Sequence, residues 1–179
     1  MAFLLSFRLP AAFLLGTALL GGCCANNVCD CPDERADEVR LVFSPAFTAA
    51  DLDTIVLQRT PLPFSATAKP ETVTLIRTAA QAPDTLVLDS GTPFAQVGST
   101  KLSRYRYLLQ YYTQAPGKKP EATTVLVIDS IRLKGSFEGT GCCTCYTNTL
   151  KTVFARKPGQ AQNTAFDLRQ APRVLPVAK

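Results

Sequence analysis

Residues 104–113 read RYRYLLQYYT and residues 123–134 read TTVLVIDSIRLK, and these two segments decide the fold. Side chains along a β-strand point alternately to the two faces of the sheet. In the first segment, one face therefore carries Tyr105, Tyr107, Leu109 and Tyr111. We predict that this aromatic row faces the core.

The second segment contains one carboxylate in an otherwise apolar row. Asp129 shares its face with four aliphatic residues, namely Val125, Val127, Ile131 and Leu133. A carboxylate that is buried without a partner is costly. We therefore expect a β-bulge or twist at Asp129-Ser130, or an arginine that pairs with Asp129.

Five further segments are apolar, short and bounded by Pro, Gly, Asp or Ser: residues 39–43, 54–59, 72–77, 85–89 and 149–156. Turns are predicted at 61–63, 82–84, 90–93, 115–120 and 135–141. About seven strands at this spacing are typical of a single antiparallel β-sandwich, immunoglobulin-like or related. No segment has helical periodicity and no βαβ alternation occurs, so the sequence predicts an all-β protein.

The composition excludes several kinds of enzyme. The 179 residues include no His, so Ser-His-Asp hydrolases, Cys-His hydrolases and HExxH zinc proteases are ruled out. GxSxG, SxxK, the P-loop and a complete GxGxxG are also absent from the sequence. We predict a non-catalytic protein without a cofactor, while an enzyme that pairs carboxylates from distant strands stays open.

The first 22 residues, MAFLLSFRLPAAFLLGTALLGG, have one cation, Arg8, followed by an apolar stretch. This layout predicts a secretory signal peptide over residues 1–22, with an uncleaved membrane anchor as the alternative. The segment ends in Leu20-Gly21-Gly22-Cys23, which resembles the lipobox of bacterial lipoproteins. That resemblance implies cleavage before Cys23, lipidation of Cys23, and attachment to the outer membrane or the periplasmic face of the cell envelope.

Two other segments strengthen this resemblance. CDCPDE at 29–34 and GCCTCY at 141–146 are similar to segments of uncharacterised small Cys-rich lipoproteins of Gram-negative-type envelopes. Cys24 is a second thiol that could carry lipid. Lipidation there would place Cys23 at a position where the family prefers Gly or Ala, so Cys23 is the predicted lipidation site.

The remaining cysteines form two clusters: Cys24, Cys29 and Cys31, then Cys142, Cys143 and Cys145. An even number of Cys in an exported chain indicates a disulfide framework. The two sulfurs of an extended Cys-x-Cys point the same way, whereas a bond between adjacent cysteines is contorted, so we predict bridges from one cluster to the other. The alternative is a zinc or copper carrier or sensor that binds metal through Cys29, Cys31, Cys143 and Cys145. Reduced or redox-active thiols are a further alternative, although CxxC is absent.

The charges are unevenly distributed along the chain. Five acids and one base lie between Asp30 and Glu38, and six bases and one acid follow from Lys151 onward. We divide the chain after the signal peptide into a Cys-rich acidic neck (23–38), a β-sandwich (39–156) and a basic, Pro-containing tail (157–179). The tail is predicted to be irregular, and it could contact anionic lipid or glycan or be simply solvated.

The partners predicted from the sequence are the membrane, through the N-terminal lipid, and a glycan or another envelope protein. A candidate ligand surface comprises Tyr112, Arg104 and Arg106, because sugar rings stack on exposed aromatic side chains. The other interpretation is that the tyrosines fill the core. Nucleic acid is not an expected partner, since the Lys and Arg residues do not cluster with aromatic residues in a groove.

Overall fold

The strands predicted from alternating side chains are present, and two more follow them. A computed structural model describes residues 29–31, 33–65, 67–113, 119–140 and 143–179. Within these ranges the nine strands are β1 (Val39–Phe43), β2 (Thr54–Pro61), β3 (Glu71–Ile76), β4 (Leu86–Leu88), β5 (Tyr105–Thr113), β6 (Glu121–Thr140), β7 (Cys143–Arg156), β8 (Thr164–Asp167) and β9 (Leu175–Val177). Short 3-10 turns cover Asp33–Arg35 and Leu102–Arg104.

The strands form two sheets. One has the order β4-β1-β9 and the other β3-β2-β5-β6-β7-β8. All neighbouring strands are antiparallel except β1 and β9, which pair in parallel. The predicted all-β, sandwich-like fold with mainly antiparallel sheets is therefore confirmed.

The aromatic row of β5 lies in the core, as its alternation predicted. Tyr105, Tyr107, Leu109 and Tyr111 are all buried. Leu109 and Tyr111 lie opposite Leu57 and Ile55 of β2, which are also buried. The Tyr107 hydroxyl donates a hydrogen bond to the Leu102 carbonyl at 3.0 Å, and burial raises the pKa of Tyr107. A buried hydroxyl needs such a partner, which the turn before β5 provides.

The β-bulge and the arginine partner expected for Asp129 are both present. The pairing of β6 with β7 shifts register between Ile128 and Ser130, which is a bulge at Asp129. The carboxylate lies 2.9 Å from Arg106 Nε and 2.8 Å from Arg156 Nε. Ile128 and Ile131 are both in the core. In a regular strand, two residues at this spacing would face opposite sides of the sheet. The bulge thus keeps both isoleucines buried while Asp129 faces its arginines.

The turn predicted at 135–141 is wrong over 135–140, where the chain is a strand, and residue 141 lies outside the described residues. Strand β6 continues to Thr140 and β7 begins at Cys143, so the two form one long hairpin. The register shifts between Lys134 and Gly135. A Cβ on Gly135 would overlap the Tyr146 ring and lie 2.6 Å from the Thr147 carbonyl oxygen. Gly135 is therefore required by close backbone approach inside the hairpin and does not mark its turn.

The prediction of an irregular tail over 157–179 is also wrong. Strand β8 pairs with β7, and β9 pairs with β1. Leu168, Leu175 and Val177 are buried in the core. The folded body therefore extends through β9, because three apolar side chains spaced among the prolines find partners in both sheets.

One buried charge was not anticipated from the sequence. Arg59 on β2 is only 2% exposed. Its guanidinium donates to Glu71 Oε2 and to the Ala95 carbonyl, each at 2.7 Å. It also stacks between the rings of Phe94 and Tyr105, at 4.6 and 4.5 Å from their centroids. Arg59 thereby joins the edge strand β3 and the loop before β5 to the core.

Candidate functional site

Two disulfides connect the neck to the outer half of the β6–β7 hairpin, which on β7 comprises residues 143–151. Cys29 is bonded to Cys143 and Cys31 to Cys145, with Cα–Cα distances of 5.5 and 5.3 Å. The predicted pairing between clusters is confirmed for these four residues. Both bridges span 114 residues, so the neck runs in the same direction as β7. Cys23, Cys24 and Cys142 lie outside the described residues, as does the predicted signal peptide.

Hydrogen bonds from β7 hold the neck beyond the disulfides. The Tyr146 amide donates to Asp33 Oδ1 at 2.7 Å. Asn148 Nδ2 donates to the Ala36 carbonyl at 2.6 Å and to Asp37 Oδ1 at 3.0 Å. Asp33 and Asp37 of the neck therefore accept hydrogen bonds from β7, which the charge count alone did not show.

The neck also covers a strand edge. Strand β8 pairs with β7 only at 152–155, so it does not reach the outer half of β7. The neck lies against that outer half through its disulfides and the Asp33 contact. An unpaired strand edge invites association with other chains, and a covalently attached segment blocks it.

A cleft of about 560 Å³ opens where the neck, β1, β7 and the C-terminal segment meet. Its lining includes five cations, which are Arg35, Arg40, Lys151, Arg169 and Arg173. Glu38 is the one carboxylate among the described lining residues, and it pairs with Arg40 at 2.7 Å. We name this feature the basic cleft.

Lys151 interacts electrostatically with charged residues of the neck, β1 and the C-terminal segment. Its Nζ donates to the Ala36 carbonyl at 2.9 Å. Burial lowers the pKa of Lys151, Glu38 and Asp37 act in the opposite direction, and Arg40 and Arg173 lower it further. Like charges are therefore close enough to oppose one another in this cleft.

The ligand surface proposed from the sequence is not assembled into a compact site. Arg106 and Tyr112 share a face of β5 but are six residues apart, which is about 20 Å along a strand. Arg106 is paired with Asp129 and stacks over Phe64 at 5.6 Å. Arg104 is exposed at the end of the 3-10 turn before β5, and Tyr112 is half-buried. Arg106 is thus occupied by structural contacts.

The four cysteines proposed as alternative metal ligands have no free thiol in the oxidised protein. Cys29, Cys31, Cys143 and Cys145 are all disulfide-bonded, and thiolate is the form that binds zinc or copper. Cys31, Cys145 and Asp33 place their ligand atoms within 4.8 Å of one another. Metal binding at this position therefore requires prior reduction of a bridge.

Comparison with protein-family models, with curated proteins and with solved structures finds no match for this chain. Over the part of the chain that the structure describes, no helix is long and apolar enough to cross a bilayer.

Proposed function

We propose that this chain is a lipid-anchored protein of the cell envelope that acts as a non-catalytic binding, accessory or structural module. The observation that carries the proposal is the pair of disulfides between the neck and the hairpin. Structural disulfides persist in oxidising compartments such as the periplasm. They support export, which the signal peptide and lipobox predict from the sequence.

The position of the bridges suits an anchor. Cys29 follows the predicted lipidated residue, Cys23, by six positions, a reach of about 20 Å in extended chain. The hairpin end that carries the bridges would then lie near the membrane. Several acyl chains on one N-terminus hold a protein on a bilayer far longer than a single chain does. Covalent attachment of the neck would prevent it from peeling away from β7 under tension at the anchor.

The anchor is tested by comparing Cys23→Ser with the matched control Cys24→Ser in the full chain. We expect inhibition of the lipoprotein signal peptidase with globomycin to leave a larger precursor that is already lipidated, and Cys23→Ser to leave a larger precursor that incorporates no labelled fatty acid. Cys24→Ser should process normally. If Cys24→Ser alone loses processing and lipid labelling, the lipid is on Cys24; if neither variant changes the size or the labelling, the proposed anchor is overturned.

The framework is tested by thiol counting. Alkylation of the unreduced protein, followed by peptide mapping, should leave Cys29, Cys31, Cys143 and Cys145 unmodified, and reduction should make all four reactive. Modification of these four cysteines without reduction would contradict the framework.

A thiolate metal carrier or sensor is the second candidate, favoured by the closeness of Cys31, Cys145 and Asp33. Soft thiolates bind zinc and copper(I) without His. Elemental analysis of protein isolated from the envelope distinguishes the two functions. Stoichiometric zinc or copper with free thiols would support the carrier, and intact bridges without metal would support the binding module.

A further inference from the structure

The basic cleft collects cations that are far apart in the sequence. Arg35 belongs to the neck, Arg40 to β1, Lys151 to β7, and Arg169 and Arg173 to the C-terminal segment. Folding therefore brings five positive charges to one concave surface. Cations that line one concave surface create a positive potential that attracts anions.

The described carboxylates compensate only part of this charge. Glu38 pairs with Arg40, and Asp37 accepts from Asn148. Lys151 and Arg169 donate to the carbonyl oxygens of Ala36 and Thr149, and the carboxylates of Glu38 and Asp37 also attract Lys151.

Arg35 and Arg173 complete the cationic lining. Among the described residues, neither guanidinium has an ion-pair or hydrogen-bond partner. Arg173 also lines the cleft from a backbone with φ of 47°, a left-handed conformation that side chains other than Gly, Asn and Asp seldom adopt. The fold thus holds a cation at the cleft in a conformation that is locally unfavourable.

We infer that the basic cleft binds a phosphate-bearing anion, a phosphate monoester or diester, with Arg35, Arg169 and Arg173 as its main contacts. Guanidinium groups match phosphate oxygens with paired, charge-assisted hydrogen bonds and are weakly hydrated. The cleft volume of about 560 Å³ falls within the range of small-molecule sites. Lys151 adds a point charge at the cleft wall.

This inference deepens the proposed binding role and rests on it. In an anchored protein, Arg35 would follow the lipidated Cys23 by twelve residues. The phosphate could then belong either to a lipid headgroup in the membrane or to a free phosphate ester. Both sources offer the same chemistry, and the experiment separates them.

The experiment uses the full chain in a zwitterionic detergent, with glycerol phosphate as the soluble probe and sodium chloride at matched ionic strength as the blank. Calorimetry should detect binding by the wild type. Arg169→Gln/Arg173→Gln should weaken it about tenfold or more, and Arg35→Gln, which removes no hydrogen bond among the described residues, should also weaken it. Far-UV circular dichroism establishes that each variant is folded.

The matched control is Lys69→Gln/Lys157→Gln, which removes two exposed cations outside the cleft. It should bind as the wild type does. A second arm measures co-sedimentation with phosphatidylcholine vesicles, with and without phosphatidylglycerol. Binding to glycerol phosphate identifies a free ester as a sufficient ligand, whereas binding only to the anionic vesicles identifies a headgroup in a bilayer.

The inference is overturned if wild type binds neither probe above the blank, if the cleft variants bind as tightly as wild type, or if the control loses as much as they do. The last result would mean general charge attraction. The soluble arm does not depend on lipidation, so failure of the Cys23→Ser test would leave this result intact and interpretable.

Discussion

Replacement of Arg59 by Met is predicted to destabilise the fold by about 2 to 4 kcal/mol. Methionine keeps most of the aliphatic stem but removes the charge. The change removes the hydrogen bond to the carbonyl of Ala95, an exposed residue whose carbonyl can be hydrated instead, so the loss is about 0.5 to 1.5 kcal/mol. It also removes the stacking of the guanidinium on two rings, each worth about 0.5 to 2 kcal/mol.

A competing effect reduces the destabilisation. Burying a guanidinium that is 2% exposed carries a desolvation cost, and the substitution recovers it. Glu71 is 44% exposed, so its carboxylate returns to water at little cost when Arg59 is removed. The rings of Phe94 and Tyr105 are buried and have no such alternative, so destabilisation prevails.

The assay is urea unfolding followed by far-UV circular dichroism and tyrosine fluorescence, since the chain has no Trp. Arg104→Met, at an exposed arginine, is the matched control and should change the free energy of unfolding by less than about 0.5 kcal/mol. In the background of Arg59→Met, Glu71→Gln should have almost no effect. A neutral or stabilising Arg59→Met would refute this reasoning, because the recovered desolvation energy would then exceed the stabilisation that the hydrogen bond and the stacked rings provide.

Three further predictions concern pH, the hairpin and the bulge. Burial alone would raise the pKa of Asp51, but hydrogen bonds from Lys179 and a nearby threonine outweigh it and lower the pKa from 3.8 to about 2. This contribution is present above pH 4 and is lost as the pH falls through about 2. Because the partner Lys179 is exposed and solvent screens the pair, the contribution is about 1 kcal/mol, and acid unfolding should show it as a stability difference from Asp51→Asn that disappears below pH 2. Gly135→Ala should destabilise by about 1 to 3 kcal/mol in urea unfolding, because the Thr147 carbonyl cannot move away from a Cβ; an unchanged midpoint would contradict the close approach. Asp129→Asn should lower the melting temperature, since two arginines then share one neutral acceptor, and high salt should lessen the difference from wild type; a difference that salt leaves unchanged would argue against an electrostatic cause.

Local patterns predicted the sheets well. The alternation in residues 104–113 identified the buried face of β5, and the misplaced carboxylate at Asp129 predicted both the bulge and the arginine partners. Residue spacing also predicted the bridges from Cys29 and Cys31 to the second cluster. In each case, the signal depends on neighbours within a few residues, where strand geometry is regular.

Glycine was interpreted wrongly by the same local reasoning. Gly135 and Gly139 indicated a turn, whereas the strand continues through both. Gly is suitable for a turn and also for close packing between strands. At Gly135, the ring of Tyr146 on the partner strand shows that the role is close packing and not a turn. The position of that ring follows from strand pairing.

The basic cleft had almost no signal in the sequence. Arg35 lies in a segment dominated by acids, and Arg169 and Arg173 lie in what its prolines indicated was an irregular tail. The excess of bases after Lys151 was visible, but nothing local showed that the neck would lie beside them. Asn148, which holds the neck through Ala36 and Asp37, was not singled out either.

The sequence by itself determined seven of the nine described strands, which face of β5 is buried and which cysteine clusters join, because backbone alternation and the parity of thiols are local or countable. Only the tertiary structure decided that β8 and β9 complete the two sheets, that Arg59 is buried, and that five cations line one cleft. These features join residues that are far apart in the sequence; the neck and β7, for example, are more than a hundred positions apart. Their free energy comes from packing and charge at contacts that exist only after the chain has folded.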